Sequence, residues 1–193
     1  KWPGEFSANW VSGAMPAGQK GVVTRAEGRT IHEIDGKPAA EVYDGWLGGA
    51  LRGAIASGEQ ILGSTTLTPL GVHRASGFTL VHPERIVGGT SINSFATINE
   101  GETVTLMKST KLAMQGRPAN LVSRAQPKLG GRPLKGVLLF YCAGCMLTIE
   151  PDTQPMLDAL KTTAGKVPIG GAFNFGEQGC HERGAPDHGD LMT

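Results

Sequence analysis

Glycine and proline limit what this chain can build. Its 193 residues include 29 Gly and 12 Pro, about a fifth of the total, where roughly 12% is usual. The glycines follow no three-residue period, which excludes a collagen-like helix. Each interior Gly costs a helix up to ~1 kcal/mol relative to Ala, so many turns and short elements are expected. The longest nearly unbroken apolar stretch, Val137 to Ile149, falls short of the ~18 residues that a membrane-spanning helix needs. No membrane span is expected. Lys and Arg (18) balance Asp and Glu (17) to a net charge of +1, with 18% of residues charged. That balance excludes nucleic acid and other polyanions as expected partners. Three cysteines do not make the even disulfide framework of a small secreted domain, so a cytoplasmic setting is expected. Residues 1 to 4 carry no charged lead into an apolar run and show no secretory signal. Opening on Lys1 rather than Met, the chain is expected to be a fragment.

Along the chain, residues 1 to 19 read as an irregular lead-in. Two short β-branched runs beginning at Gly21 and Arg29 predict paired strands, closed by Asp35 and Gly36. Pro38 suits a helix start, and Ala40, Val42, Tyr43, Trp46, Leu47, Leu51 and Ile55 recur near a 3.6-residue period, predicting a helix to about Ser57 with a break near Gly48. Between Leu67 and Met107 four β-branched segments separated by Pro and Gly predict an antiparallel meander. Ser109 is a candidate cap for a second helix, which Gly116 to Pro118 is expected to interrupt. Residues 126 to 133 read as a loop. Gly136 to Cys142 is apolar throughout, as a central strand covered on both faces should be. Asp152 or Thr153 starts a helix that Gly165 stops, Lys166 to Ile169 returns as a strand, and a glycine-rich loop, Gly170 to Gly179, follows. Leu191 to Thr193 reads as a strand cut short. The fold class expected is α/β in the broad, α+β sense: a mixed, largely antiparallel sheet with two or three packed helices.

The chemistry-bearing residues gather late in the chain. Cys142 and Cys145 form a C-x-x-C motif, and Cys180 follows beside His181. A thioredoxin-like redox site would require the two thiols at a helix N-terminus, whereas the residues after Cys145 read as strand or loop. A zinc site would need four ligands from Cys142, Cys145, Cys180 and His181 or His188, without a second C-x-x-C. A third reading makes the cysteines small apolar residues finishing a buried strand. Arg85 has a fork that suits a ligand carboxylate, or pairs with Glu84 at the surface. Glu177, between Gly176 and Gly179, offers an acid for a ligand ammonium, or accepts backbone N–H bonds. His32, His73 and His82 are isolated and read as structural. No phosphate-binding loop, hydrolase elbow or H-E-x-x-H is present.

Several segments together resemble the FIST family of sensory signal-transduction domains, specifically the end of its N-terminal part and its C-terminal part. Thr24 to Gly28 and His32 to Ala39 resemble the family's strand and "LDGKPA" turn. Asn99 to Met107 resembles its "GE.V.LM" strand, Val137 to Gly144 its "FSC.G" strand, and Val167 to Glu177 its "VP..G..T.GE" hallmark. Many relatives have Arg where this chain has Cys145. The resemblance implies a division into residues 1–40, the lead-in and end of the N-terminal region, and 41–193, the C-terminal-like domain. It implies a non-enzymatic, cytoplasmic sensory module that binds a small ligand such as an amino acid, with a signalling or F-box-type partner domain and neither catalytic residue nor cofactor. Cys142, Gly144, Gly171, Phe173, Gly176 and Glu177 carry over as ligand-binding residues, while the glycines also have a reading as tight strand packing. Self-association is expected through a sheet edge or apolar patch that the missing upstream part would cover. Thiol-redox or zinc chemistry at Cys142, Cys145 and Cys180, and a protein-interaction scaffold, stand as the other function classes.

Overall fold

Strand β1 (Met15–Glu27) and strand β2 (Thr30–Ile34) run antiparallel, and their β-branched Val23, Ile31 and Ile34 are wholly buried. This is seen in a computed structural model that describes residues 4–74, 77–175, 177–179 and 187–189, with backbone alone at 74, 177–179 and 187–189. Asp35 and Gly36 both have positive φ (52° and 71°), the pairing that suits a two-residue hairpin, and they return the chain as β3 (Lys37–Pro38) beside β2.

Helix α1 (Ala39–Trp46) lays Ala39, Ala40 and Tyr43 into the core. The Tyr43 hydroxyl donates to the Thr68 carbonyl at 2.6 Å. Instead of one helix to Ser57, the chain breaks where Gly48 and Gly49 take φ of 69° and 86°, a region that other residues enter at a cost. Asp44 Oδ1 spans the break by accepting the Leu51 N–H at 2.6 Å. Short helices α2 (Arg52–Ser57) and α3 (Leu62–Thr65) follow.

Strands β4 (Leu70–Arg74), β5 (Gly77–Val81), β6 (Pro83–Val87), β7 (Ser91–Ser94) and β8 (Thr103–Lys108) complete an antiparallel sheet in the order β5-β4-β8-β1-β2-β7-β6. A simple meander was expected here, but β5 and β6 stand at opposite ends and β1 holds the centre. The long β1, already extended from Met15 inside the expected lead-in, offers both of its edges, one to β2 and one to β8.

Contacts divide the chain into two compact units, Ala14–Ser109 and Lys1–Gly13 with Thr110–Thr193. The first holds the large sheet and its core of Ile31, Ile34, Tyr43, Leu70, Ile92 and Leu106. The second is built on helix α4 (Lys111–Ala125), strand β9 (Val137–Cys142), helix α5 (Ala143–Ile149), helix α6 (Gln154–Ala164) and strand β10 (Ile169–Asn174), followed by the short pair β11 (Glu177–Gly179) and β12 (Asp187–Gly189). The fold class is thus α+β with a largely antiparallel sheet, as expected, and three of the helices, α1, α4 and α6, reach eight residues or more.

Several expectations for the second unit change. The cap of α4 is Thr110, not Ser109: its hydroxyl accepts the Ala113 N–H at 3.0 Å, as an N-cap should. The helix runs through Pro118 to Ala125. Proline lacks an N–H, which leaves the Met114 carbonyl without its helical donor, and the Tyr141 hydroxyl supplies one at 2.9 Å. Gly170 to Asn174 is strand β10, parallel to β9, rather than loop. Finally, β9 pairs only with β10 among the described residues. Its Val137 and Leu139 pack with Ile169 onto Val122, Leu160 and Ala164 of α4 and α6. Leu138 and Phe140, on the other face, are 71% and 53% exposed. The strand expected here after Leu191 lies outside the described residues.

Candidate functional site

Both β9 and β10 end at one level, where Cys142 pairs with Asn174. Cys142 leaves the strand with φ −58° and ψ 127° and becomes the N-cap of α5. The segment after Cys145, expected as strand or loop, is therefore helical. Cys142, Cys145 and Ile149 are all buried, and their i, i+3, i+7 spacing is one face of a helix. The C-x-x-C motif thus sits where a redox site would need it, although both thiols face the interior, at 3% and 0% exposure.

The thiols look onto α4. Arg117, 2% exposed, donates from Nη1 to Cys145 Sγ at 3.5 Å, and its guanidinium carbon lies 5.6 Å from the centroid of the Tyr141 ring, within cation–π range. Tyr141 meets Phe173 edge to face, with centroids 6.0 Å apart. Burial pushes the Tyr141 hydroxyl above its ordinary range. Arg117 pulls it back, and Cys145 and Cys142 add to the upward push. Among the described residues, Arg117 is the one charged side chain in the buried set. The sequence held a signal for it: Met114, Arg117 and Leu121 recur at helical spacing on the buried stripe of α4.

The other expected residues are distributed more widely. Gly144 is half-buried in α5. Gly171 lies mid-strand in β10, where an added Cβ would overlap the Leu139 carbonyl oxygen and come within 2.8 Å of its carbon; the strand pairing itself requires glycine there. Phe173 is 49% exposed. Glu177 begins β11, its side chain lying outside the described residues, as do Gly176, Cys180, His181 and the side chain of His188. Arg85 belongs to the other unit, on β6, where it pairs with Glu84 at 3.2 Å. His82 of that unit is buried, with Nε2 3.2 Å from the Thr65 carbonyl; burial pushes it down to about 3 despite that bond. Among the described residues no three His, Cys, Asp or Glu are placed to hold a metal, and no helix is long and apolar enough to cross a membrane.

Sequence reasoning missed Asn174. Its Oδ1 is buried and, among the described residues, has no hydrogen-bond partner. Buried acceptors are nearly always bonded, so such an atom asks for a donor. A groove of about 320 Å³ lies elsewhere, in the unit of the large sheet, lined by Asp35, Lys37, Glu41, Val42, Gly45 and Trp46.

Compared with known proteins, residues 39–180 match the family model of the FIST C domain. No curated protein and no solved structure matches the chain.

Proposed function

The chain belongs to the FIST C domain family of sensory signal-transduction domains, and on that premise we propose that it binds a small amine-bearing ligand, such as an amino acid, at the carboxyl ends of β9 and β10. The observation that carries this reading is Asn174 Oδ1, a buried acceptor at the end of a parallel strand pair that has no donor among the described residues. In sheets with parallel strands, ligands bind beyond the strands' carboxyl ends. Cys142, Gly144, Gly171, Phe173, Gly176 and Glu177 are the surrounding candidates: Glu177 as the anion for the ammonium, Phe173 as an apolar wall, the glycines as bare backbone. Arg85 stays with Glu84 and takes no part. Residues before about 40 belong in this reading to the end of the N-terminal region, and the attached output is a cytoplasmic signalling domain. Binding acts by differential affinity: a ligand that prefers one conformation shifts the population the output domain reads.

A thermal-shift screen of the amino acids and simple amines tests the reading. At about 100 times its dissociation constant a ligand adds ~2.7 kcal/mol of stability, a shift of several degrees for a chain of this size. Asn174→Ala should weaken that ligand at least tenfold while leaving the melting of the unliganded chain nearly unchanged. If no amine raises the melting temperature, the reading fails.

A further inference from the structure

The proposed ligand site takes Cys142 only as lining and leaves Cys145 and the buried guanidinium beside it without a task. Cys142 is the N-cap of α5 and Cys145 its third helical residue. Side chains at those two positions reach toward each other's backbone across the first turn, as they do in a capping box. The two thiols therefore share the first turn of α5, both buried. Arg117 then makes them unequal: its Nη1 lies 3.5 Å from the sulfur of Cys145, and a cation beside a sulfur favours its thiolate, the nucleophilic form. Between the cysteines stand Ala143, buried, and Gly144, half-buried and without a side chain. Gly144 is thus the more open of the two.

We propose that Cys142 and Cys145 are a reversible thiol switch, with Cys145 as the attacking thiol and Arg117 as the positioning residue that selects it. The co-reactant is a small disulfide. The Cys145 thiolate attacks one of its sulfurs and breaks its S–S bond, and one half leaves as a thiolate that takes up a proton. Cys142 then gives its proton to solvent and attacks Cys145 Sγ, breaking the mixed disulfide and releasing the second half, which is protonated in turn. The two protein thiols lose two electrons, the small disulfide gains two, and the Cys142–Cys145 bond is the product.

The consequence reaches past α5. Oxidation turns the Cys145 sulfur beside Arg117 into a neutral disulfide sulfur, while Arg117 also lies over Tyr141, and the Tyr141 hydroxyl fills the position Pro118 leaves open in α4. The redox state of the pair thereby sets how firmly α4 is held on β9. This switch needs no ligand, so it stands or falls separately from the sensing site.

The test uses the full chain and glutathione disulfide as the probe, followed by alkylation and peptide mass mapping. The wild type should yield a Cys142–Cys145 disulfide that a dithiol reductant reverses. Cys142→Ser should accumulate one glutathione on Cys145, and Cys145→Ser should react at Cys142 at least tenfold more slowly. Arg117→Met should slow the Cys145 reaction at least tenfold, and Arg117→Lys, which keeps the charge, should restore part of it. A bridge to Cys180, glutathione adducts without a bridge, or two unreacted thiols would overturn the switch. Equal rates in the two serine variants would overturn the role of Arg117.

Discussion

In the eight-stranded sheet the isoleucines and leucines of the strands are out of water: Ile31, Ile34 and Ile92 are 0% exposed. In the β9–β10 pair, on residues just as apolar, Leu138 stands 71% and Phe140 53% exposed. The difference lies in what covers each face. The large sheet has helix α1 and a hydrophobic core packed against it, whereas among the described residues the strand pair has α4 and α6 on one face only. Apolar content alone does not bury a strand. The two units also bury polar groups differently. The first encloses an uncharged imidazole, His82, whereas the second encloses a guanidinium, two thiols and a phenol bonded to a freed helix carbonyl. One buries polarity that merely completes backbone bonds, and the other buries reactive groups.

That contrast can be broken by substitution. Ile31→Ala should cost about 2–5 kcal/mol in urea unfolding, because the fully packed core cannot close over the lost volume; a loss under 1 kcal/mol would deny that the large sheet is the better-covered region. Tyr141→Phe comes next. It strips the Met114 carbonyl of the donor that replaces the missing Pro118 N–H, at a cost of about 1–3 kcal/mol, and restoring an N–H with Pro118→Ala in the same chain should recover much of it.

A smaller effect depends on pH. The unfolded chain protonates His82 near 6.5, the folded chain only near about 3. Stability from this group is therefore intact above pH 6.5 and declines as pH falls between those values, by about 1 kcal/mol per unit. Urea titrations from pH 7 to 4.5 should show His82→Gln losing that much less per unit than the wild type. Smallest is Leu138→Ser, which should stay within about 0.5 kcal/mol because the side chain is already mostly in water. A large loss there would show that β9 is covered on both faces after all.

Much of the fold was readable because its signals are local. The β1–β2 pair, the Asp35-Gly36 turn, the break at Gly48 and the end of α6 at Gly165 each follow from residues near at hand. Strand order was not readable, since the central place of β1 comes from pairings with β8, far along the chain. Nor was α5: Val137 to Ile149 is apolar almost throughout, and such a run fits strand and helix alike until the backbone turns at Cys142. Pro118 misled for a different reason. Its cost is met by Tyr141, a partner that no local pattern reveals. Of the candidate residues, Cys142, Gly171 and Phe173 lie on the β9–β10 pair, which leaves their role open to test. Nothing in the sequence warned of Asn174, an ordinary residue in a glycine-rich segment until burial leaves its carbonyl oxygen without a donor among the described residues.

Whether Asn174 Oδ1 accepts a ligand's N–H at the end of β10 can be read from its side-chain amide resonances in a ¹⁵N-labelled chain. Titration with the amine that raises the melting temperature should move the Asn174 side-chain signals saturably, with the same midpoint as the thermal shift. Saturation of binding with those signals unmoved, while residues of the other unit shift, would contradict that bond.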